Sequence, residues 1–387
     1  MTKHLSIRSS VFIILLIFLL WRSLLIIATL LSVKFIPLQY HDRFLGGGPI
    51  NYQILPQLFS WANFDGEHYL SIAIFGYKSL EQAFFPIFPF LISFFAKLLS
   101  PDFLSLLINS TIIGILISNI AFLFSLIFLW ELIRIDFPKR IALLTIITLI
   151  LFPTSFYFGA LYNESLFLLL SIISFLSARK GKWFIAGVAG MIASATRVFG
   201  FLLLPALIIE AYQQKISPSK VLWILLIPLG LGVYMWYLYL TVGDPLAFYH
   251  FQKLVGEQHQ QGIILLPQVY FRYFKMILSV DKFSSLYQTI WLELIVGLLF
   301  FILPFYGYFK KIRLSYLFYA LAGFLLPSIQ GSFSSLPRYV IVFFPAFLSL
   351  ALLINNLPKF FRLTYLLIST LFLIVETALF LRGYWVA

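Results

Sequence analysis

The residues best suited to chemistry lie between Trp61 and Pro89, where the chain reads WANFDGEHYLSIAIFGYKSLEQAFFPIFP. Two carboxylates, Asp65 and Glu67, stand here with His68 and the aromatic residues Trp61 and Tyr69. A carboxylate flanked by aromatic rings suits sugar chemistry: the rings stack on pyranose faces while the carboxylate accepts a hydroxyl proton. On a helix running from Trp61 onward, Trp61, Asp65, Tyr69 and Ile72 share one face, with His68 beside it. Glu67 then points about 200° away from Asp65 around the 3.6-residue period. The two carboxylates converge only if Gly66 makes a turn instead. A plainer reading has Asp65 capping an interfacial amphipathic helix, with Trp61 and Tyr69 as membrane-interface aromatics.

Whatever positions these groups is built for a bilayer. The 387 residues are 61% hydrophobic and 11% charged, with a mean hydropathy of +0.99, whereas a soluble domain carries roughly a quarter charged residues. So much apolar surface needs lipid as its solvent. The net charge of +13 does not point to nucleic acid, because Lys and Arg punctuate apolar runs as the positive-inside rule requires. There is no cysteine, and His4, His41, His68, His250 and His259 show no HxxxH or HExxH spacing. Neither a metal site nor a cofactor is expected. Gly46-Gly47-Gly48-Pro49 is followed by no GK[ST] and reads as a flexible stretch rather than a phosphate loop.

Basic clusters mark the cytoplasmic side at Arg134/Lys139/Arg140, Arg179/Lys180/Lys182, Lys215/Lys220, Lys310/Lys311/Arg313 and Lys359/Arg362. Consecutive clusters must be joined by an even number of crossings, with turns expected near Tyr162, Thr196, the 242–287 loop and the 331–338 loop. A retained first span runs from the cytoplasm to about Val33. An odd number of crossings must then precede Arg134. The 84–99 segment carries Pro86, Pro89 and Lys97 and suits an interfacial or re-entrant helix, leaving 103–133 to cross alone. The expected fold is an all-α integral membrane protein, a single polytopic domain over 1–387 with about eleven transmembrane helices by span length. Spans near 183–196 and 200–212 are the shortest. The N-terminus lies inside and the C-terminus outside. Two extracytoplasmic loops stand out, 36–102 with interfacial helices and 242–287. Asp42, Asp65, Glu67, Glu81, Asp102, Glu164, Asp244, Glu257 and Asp281 all fall on the outer side, nine of the fourteen acidic residues.

The string Phe64-Asp65-Gly66-Glu67-His68-Tyr69-Leu70 resembles the signature of the PIG-V type mannosyltransferases, the second mannosyltransferases of GPI-anchor synthesis and their bacterial relatives. So do Ile72-Ala73, Gly76-Tyr77, Glu81 and Ala83-Phe84-Phe85-Pro86-Ile87-Phe88-Pro89 behind it. Later segments match in order: Phe152-Pro153-Thr154-Ser155-Phe156, Tyr162-Asn163-Glu164-Ser165-Leu166-Phe167, Ala195-Thr196-Arg197 with Gly200, and Pro337-Arg338-Tyr339. Asn63 departs from the Arg usual in that family, and Val198-Phe199 from its small or polar residues. The family belongs to the GT-C group of multi-spanning glycosyltransferases, which carry their catalytic acid in the first outward loop.

The resemblance implies transfer of a sugar, expected to be mannose, from a polyprenyl- or dolichyl-phosphate donor to a lipid-linked or cell-surface glycan acceptor, with inversion. Asp65 is then the base, and Glu67 orients the acceptor or assists in place of a metal. His68 hydrogen-bonds a sugar hydroxyl, and Trp61 and Tyr69 stack on sugar. Arg197 and Arg338 are assigned to the phosphate, where a planar fork of donors fits; otherwise they snorkel to headgroups or pair with Glu164. Glu164 binds acceptor hydroxyls or is simply a helix N-terminal acid, and Glu81 is a site residue or an interfacial charge. Arg22, Glu293 and Glu376 lie within spans and are read as paired inside the bundle. The expected partners are the lipid-linked donor, the acceptor and membrane lipids, with no nucleic acid. The expected location is a prokaryotic plasma (inner) membrane with an extracytoplasmic site. A lipid-linked sugar flippase or transporter is the competing reading, but it predicts matching halves and charges lining a midplane path.

Overall fold

The computed structural model describes residues 2–39, 46, 48–255 and 264–386. Asp42, Gly47, Glu257, His41 and His259 therefore lie outside the described residues. The described chain is all helical. Five helices are long and apolar enough to cross a bilayer: Ser10–Phe35, Phe103–Ile133, Pro218–Val242, Ser285–Phe309 and Lys359–Leu381. The pair Leu336–Val342 and Phe344–Asn355, bent by 90°, makes a sixth. The chain is a multi-pass membrane protein with five to six candidate spans by length and composition. The remaining apolar helices are shorter, among them Trp183–Ser194, Val198–Gln213 and Leu314–Ser328.

The first long helix shows why lipid must surround it. Ile14, Phe18, Trp21, Leu25 and Ala28 recur every three or four residues and are buried, yet Phe12, Leu19, Leu20, Ile26 and Ile27 on the other faces are exposed. A helix apolar all round belongs in a membrane. It packs against the Lys359–Leu381 helix. The Phe103–Ile133 helix packs on Glu164–Arg179, which packs in turn on Trp183–Ser194.

Ile87–Leu99 is a separate helix of 13 residues, too short to span. Phe88, Ile92 and Ala96 are buried against the bundle while Phe90, Phe94 and Leu98 are exposed. Asp102 then opens the next long helix through a capping box, accepting from the Ser105 N–H at 2.9 Å.

Charge collects at helix ends. At one end Arg179 pairs with Asp136 and with Glu210 (3.3 Å), Arg313 reaches the same Glu210 at 2.9 Å, and Lys180 pairs with Glu131 at 2.8 Å. Glu164 opens the 16-residue helix that Arg179 closes, so the second charged cluster, around Glu164, sits about 24 Å from the first at 1.5 Å per residue.

Candidate active site

Four separate stretches of chain meet around Glu164. The first begins with a correction to the expected helix from Trp61. Ser60–Ala62 is a single 3-10 turn, the chain breaks at Asn63-Phe64, and the helix starts at Asp65 and runs to Phe75. The break occurs because Phe64 adopts φ 56°, ψ −123°, a conformation that costs of order 1–3 kcal/mol for a non-glycine residue. Neighbours hold it there. The Phe64 ring packs against Phe380 and Trp385 with centroids 5.7 and 5.8 Å away. Asn63 donates to the Phe380 carbonyl at 2.9 Å, and its own carbonyl accepts from the Tyr162 hydroxyl at 2.8 Å.

The helix-start position matters for Asp65. It does not cap the helix; it occupies the first helical residue, where the positive end of the dipole favours an anion. Gly66 is helical and buried rather than a turn, and a Cβ there would meet the Leu161 carbonyl oxygen and the Tyr162 ring at 3.3 Å. Asp65 and Glu67 thus stay on one regular helix, facing about 200° apart.

The second stretch is the break at 151–163, where Pro153 follows the Lys139–Ile150 helix and a 3-10 turn, Ser155–Gly159, leads to Glu164. The third is the break at Ala195–Arg197, and the fourth is the Leu336–Tyr339 turn carrying Arg338. Arg338 Nη2 lies 2.5 Å from Asp65 Oδ2, and its Nε lies 3.3 Å from Glu164 Oε1. Arg197 Nη1 reaches the same Glu164 oxygen at 2.6 Å and donates to Asn163 Oδ1 at 3.1 Å. Burial is graded: the side chain of Glu164 is 1% exposed, those of Arg197 and Arg338 8% and 10%, and that of Asp65 29%. Asp65 is the member of the cluster that solvent reaches most.

Aromatic faces complete the setting of both guanidiniums. Arg338 sits over Tyr339, Tyr162 and Tyr157 at 5.1, 5.3 and 5.6 Å. Arg197 sits over Phe199, Tyr339 and Phe167 at 5.6, 5.7 and 6.0 Å. The Thr154 hydroxyl donates to the Pro337 carbonyl at 2.7 Å, tying the second stretch to the fourth. Two charged atoms of the cluster, Glu164 Oε2 and Arg338 Nε, lack a hydrogen-bond partner. Native sites tolerate such groups where function demands it.

Beside this cluster His68 and Glu81 make their own pair, with Nδ1 4.0 Å from Oε1. The His68 ring stacks on Phe84 at 4.6 Å. Burial pushes the Glu81 carboxyl up, but hydrogen bonds from His68, Ser71 and the Lys78 N–H outweigh it and hold the group below its ordinary range. Tyr69 is buried behind the site, edge-on to Phe84, Phe88 and Tyr162. Trp61 is 3% exposed, and the Arg22 guanidinium covers its ring at 4.6 Å. That ring packs in the protein instead of presenting a face to sugar. Arg22 also donates to the Gly159 carbonyl, Glu376 accepts from Gln288, and Glu293 from Tyr273, so all three in-span charges have polar contacts. Among the described residues no three His, Asp or Glu side chains are grouped as metal ligands.

Sequence reasoning missed Phe64, Tyr157 and Tyr339 as shapers of the site. Phe64 and Tyr339 stand inside the quoted motifs, and Tyr157 directly follows one.

The fold and site define a class: a multi-pass membrane protein whose polar centre, a carboxylate and an arginine fork, forms where helices break near one end of the bundle. Residues 4–218 match the family described as Mannosyltransferase (PIG-V), and the chain belongs to that family. The match takes in Asp65, Glu67, Glu164 and Arg197, while Arg338 lies beyond it. No curated protein matches the chain significantly in sequence. Among solved structures it is similar to the Archaeoglobus fulgidus oligosaccharyltransferase tethered to an acceptor peptide containing the NVT sequon (14% identity, TM-score 0.44, covering 94% of this chain and 55% of that one). A second similar structure is the same organism's oligosaccharyltransferase AglB with an inhibitory peptide and a dolichol-phosphate (14% identity, TM-score 0.43, 94% and 56% coverage). The chain spans about half the length of these structures.

Proposed function

We propose that this protein transfers a sugar, mannose by its family, from a polyprenyl- or dolichyl-phosphate donor to a lipid-linked or cell-surface acceptor, with inversion. The observation that carries the reading is the 2.5 Å contact between Asp65 and Arg338, two residues 273 positions apart, with Asp65 the most exposed member of the cluster. An acceptor hydroxyl oxygen attacks the anomeric carbon as the bond from that carbon to the phosphate oxygen breaks. Asp65 takes the hydroxyl proton, and Arg338 meets the charge that accumulates on the departing phosphate. Phosphate arriving at Arg338 competes with Asp65 for the guanidinium. The guanidinium is thereby shared between the carboxylate and the leaving group. Arg197 anchors Glu164, which holds Arg338 from behind. His68 and Glu81, paired next door, would receive sugar hydroxyls.

The rest of the architecture fits about eleven crossings if the short helices that end at the site count as spans cut short by it. On that reading the 36–102 and 242–287 loops are extracytoplasmic, the site opens outside a prokaryotic plasma membrane, and the Glu210 cluster lies inside. The test is sugar transfer from labelled polyprenyl-phosphate mannose in membranes by wild type and Asp65→Asn at matched protein levels. Transfer by wild type that drops by at least about a thousandfold in the variant is expected of a lost base plus its positioning. Full activity in the variant removes Asp65 as base and moves the role to Glu67.

A further inference from the structure

The turn that carries Arg338 is held by a carboxylate that the site itself does not use. Glu293 sits in the Ser285–Phe309 helix, 4% exposed, and among the described residues it forms no salt bridge. A carboxylate in an apolar helix is expensive to keep. Its contacts show what it organises. Glu293 Oε2 accepts from the Tyr273 hydroxyl at 2.5 Å, and Oε1 accepts from the Ser335 N–H at 3.2 Å. The Tyr273 oxygen in turn accepts from the Phe333 N–H at 3.1 Å.

These contacts grip the segment just before Arg338. Ser335 is left-handed, φ 60°, an unfavourable state for a residue with a Cβ. Its carbonyl accepts from the N–H groups of Arg338 (3.1 Å) and Tyr339 (3.0 Å), and so starts the turn. Phe333 is buried between Tyr270 and Tyr273, each with its ring centroid 5.0 Å away. The same outer helix, Leu266–Ser279, supplies Arg272 to the Gly331 carbonyl at 3.0 Å.

We propose that Glu293, with Tyr273, is a positioning residue for Arg338: the two pin Ser335 in its left-handed state and so aim the guanidinium at Asp65 and at the donor phosphate. This rests on the reading of Arg338 as the phosphate contact. Neither Glu293 nor Tyr273 touches substrate in this account.

The test uses the full chain in lipid nanodiscs with undecaprenyl monophosphate as probe, comparing wild type, Glu293→Gln, Tyr273→Phe and Arg338→Lys. Amide exchange over 332–339 is expected to rise about tenfold in Glu293→Gln and Tyr273→Phe, and probe affinity to fall about tenfold, the worth of one hydrogen bond. Exchange in the Asp65–Phe75 helix should stay at the wild-type level. If Glu293→Gln does not fold, Tyr273→Phe decides alone, since it removes one hydroxyl and keeps the ring. Faster exchange with wild-type affinity makes the network structural only and overturns the inference. Wild-type affinity in both variants, with loss in Arg338→Lys, overturns it while sparing the phosphate reading. Equal affinity in Arg338→Lys and wild type overturns both.

Discussion

Glu164→Gln should cost more stability than Asp65→Asn, although Asp65 is the residue assigned to chemistry. Glu164 Oε1 serves two guanidiniums, Arg197 at 2.6 Å and Arg338 at 3.3 Å, with its side chain 1% exposed. Removing one partner of a buried pair costs about 3–5 kcal/mol, because the other charge is left uncompensated in low dielectric. Arg197 would keep Asn163 and its aromatic faces, and Arg338 would keep Asp65. The lower part of that range applies, about 3 kcal/mol. Asp65 has 29% of its side chain exposed and leaves Arg338 still beside Glu164 when it is lost. Its removal is closer to breaking a surface pair, about 1 kcal/mol. The assay is reversible unfolding in mixed micelles titrated with SDS, followed by circular dichroism, for wild type and both variants. Asp65→Asn as destabilising as Glu164→Gln, or Glu164→Gln within about 0.5 kcal/mol of wild type, would refute the claim that Glu164 is the keystone.

Gly66→Ala places a methyl 3.3 Å from the Leu161 carbonyl and the Tyr162 ring, so it should cost about 1 kcal/mol and lower sugar transfer by about tenfold by tilting Asp65; parallel unfolding and transfer assays check it. The Glu81 carboxyl is held below its ordinary value, so its stabilisation is present above about pH 4.5 and is lost as pH falls through the folded-state value. Glu81→Gln should accordingly lower the melting temperature near neutral pH, with an effect that shrinks as pH falls below about 4.5. Because the chain has no cysteine, single cysteines report topology directly: Lys78→Cys should react with an impermeant maleimide in intact cells, and Lys310→Cys only after permeabilisation. The reverse pattern would invert the proposed orientation.

The parts of the site that lie within one short run of sequence were legible, and those that depend on distant segments were not. Asp65, Glu67, His68 and Glu81 stand within 17 residues of one another, so local spacing brought them forward. Arg197 and Arg338 were found by their cost, since a guanidinium in an apolar segment must be paired. Which carboxylates pair with them depends on packing between stretches up to 273 residues apart, and pattern cannot supply that. Trp61 shows the opposite failure. Its type suits sugar, but Arg22, from the first long helix, covers its ring. The helix start was misplaced because a phenylalanine at positive φ has no sequence signature: propensity would continue the helix, and Phe380, Trp385 and Tyr162 override it. Spans were harder still, because among the described helices five to six have the length and composition for a crossing and the other apolar ones are shorter. Lys139–Ile150 stops at 12 residues, shortly before Pro153.

The charge balance of the cluster explains why two carboxylates and two arginines make a sensible resting set for the proposed chemistry. Asp65 and Glu164 against Arg197 and Arg338 sum to zero in a mostly buried volume, which limits the desolvation cost. In the proposed transfer the phosphodiester of the donor would become a monoester carrying one more negative charge. At the same time Asp65 takes a proton and loses one. The total is therefore unchanged along the reaction, and the guanidinium of Arg338 need only shift its attention from the carboxylate to the phosphate. A preorganised site gains most when charge moves within it and does not build up. A neutral Asn at position 65 breaks that exchange, removing the proton acceptor and leaving Arg338 only Glu164, which takes no proton in it. Loss of transfer in Asp65→Asn should therefore appear in the chemical step, with donor affinity held or improved.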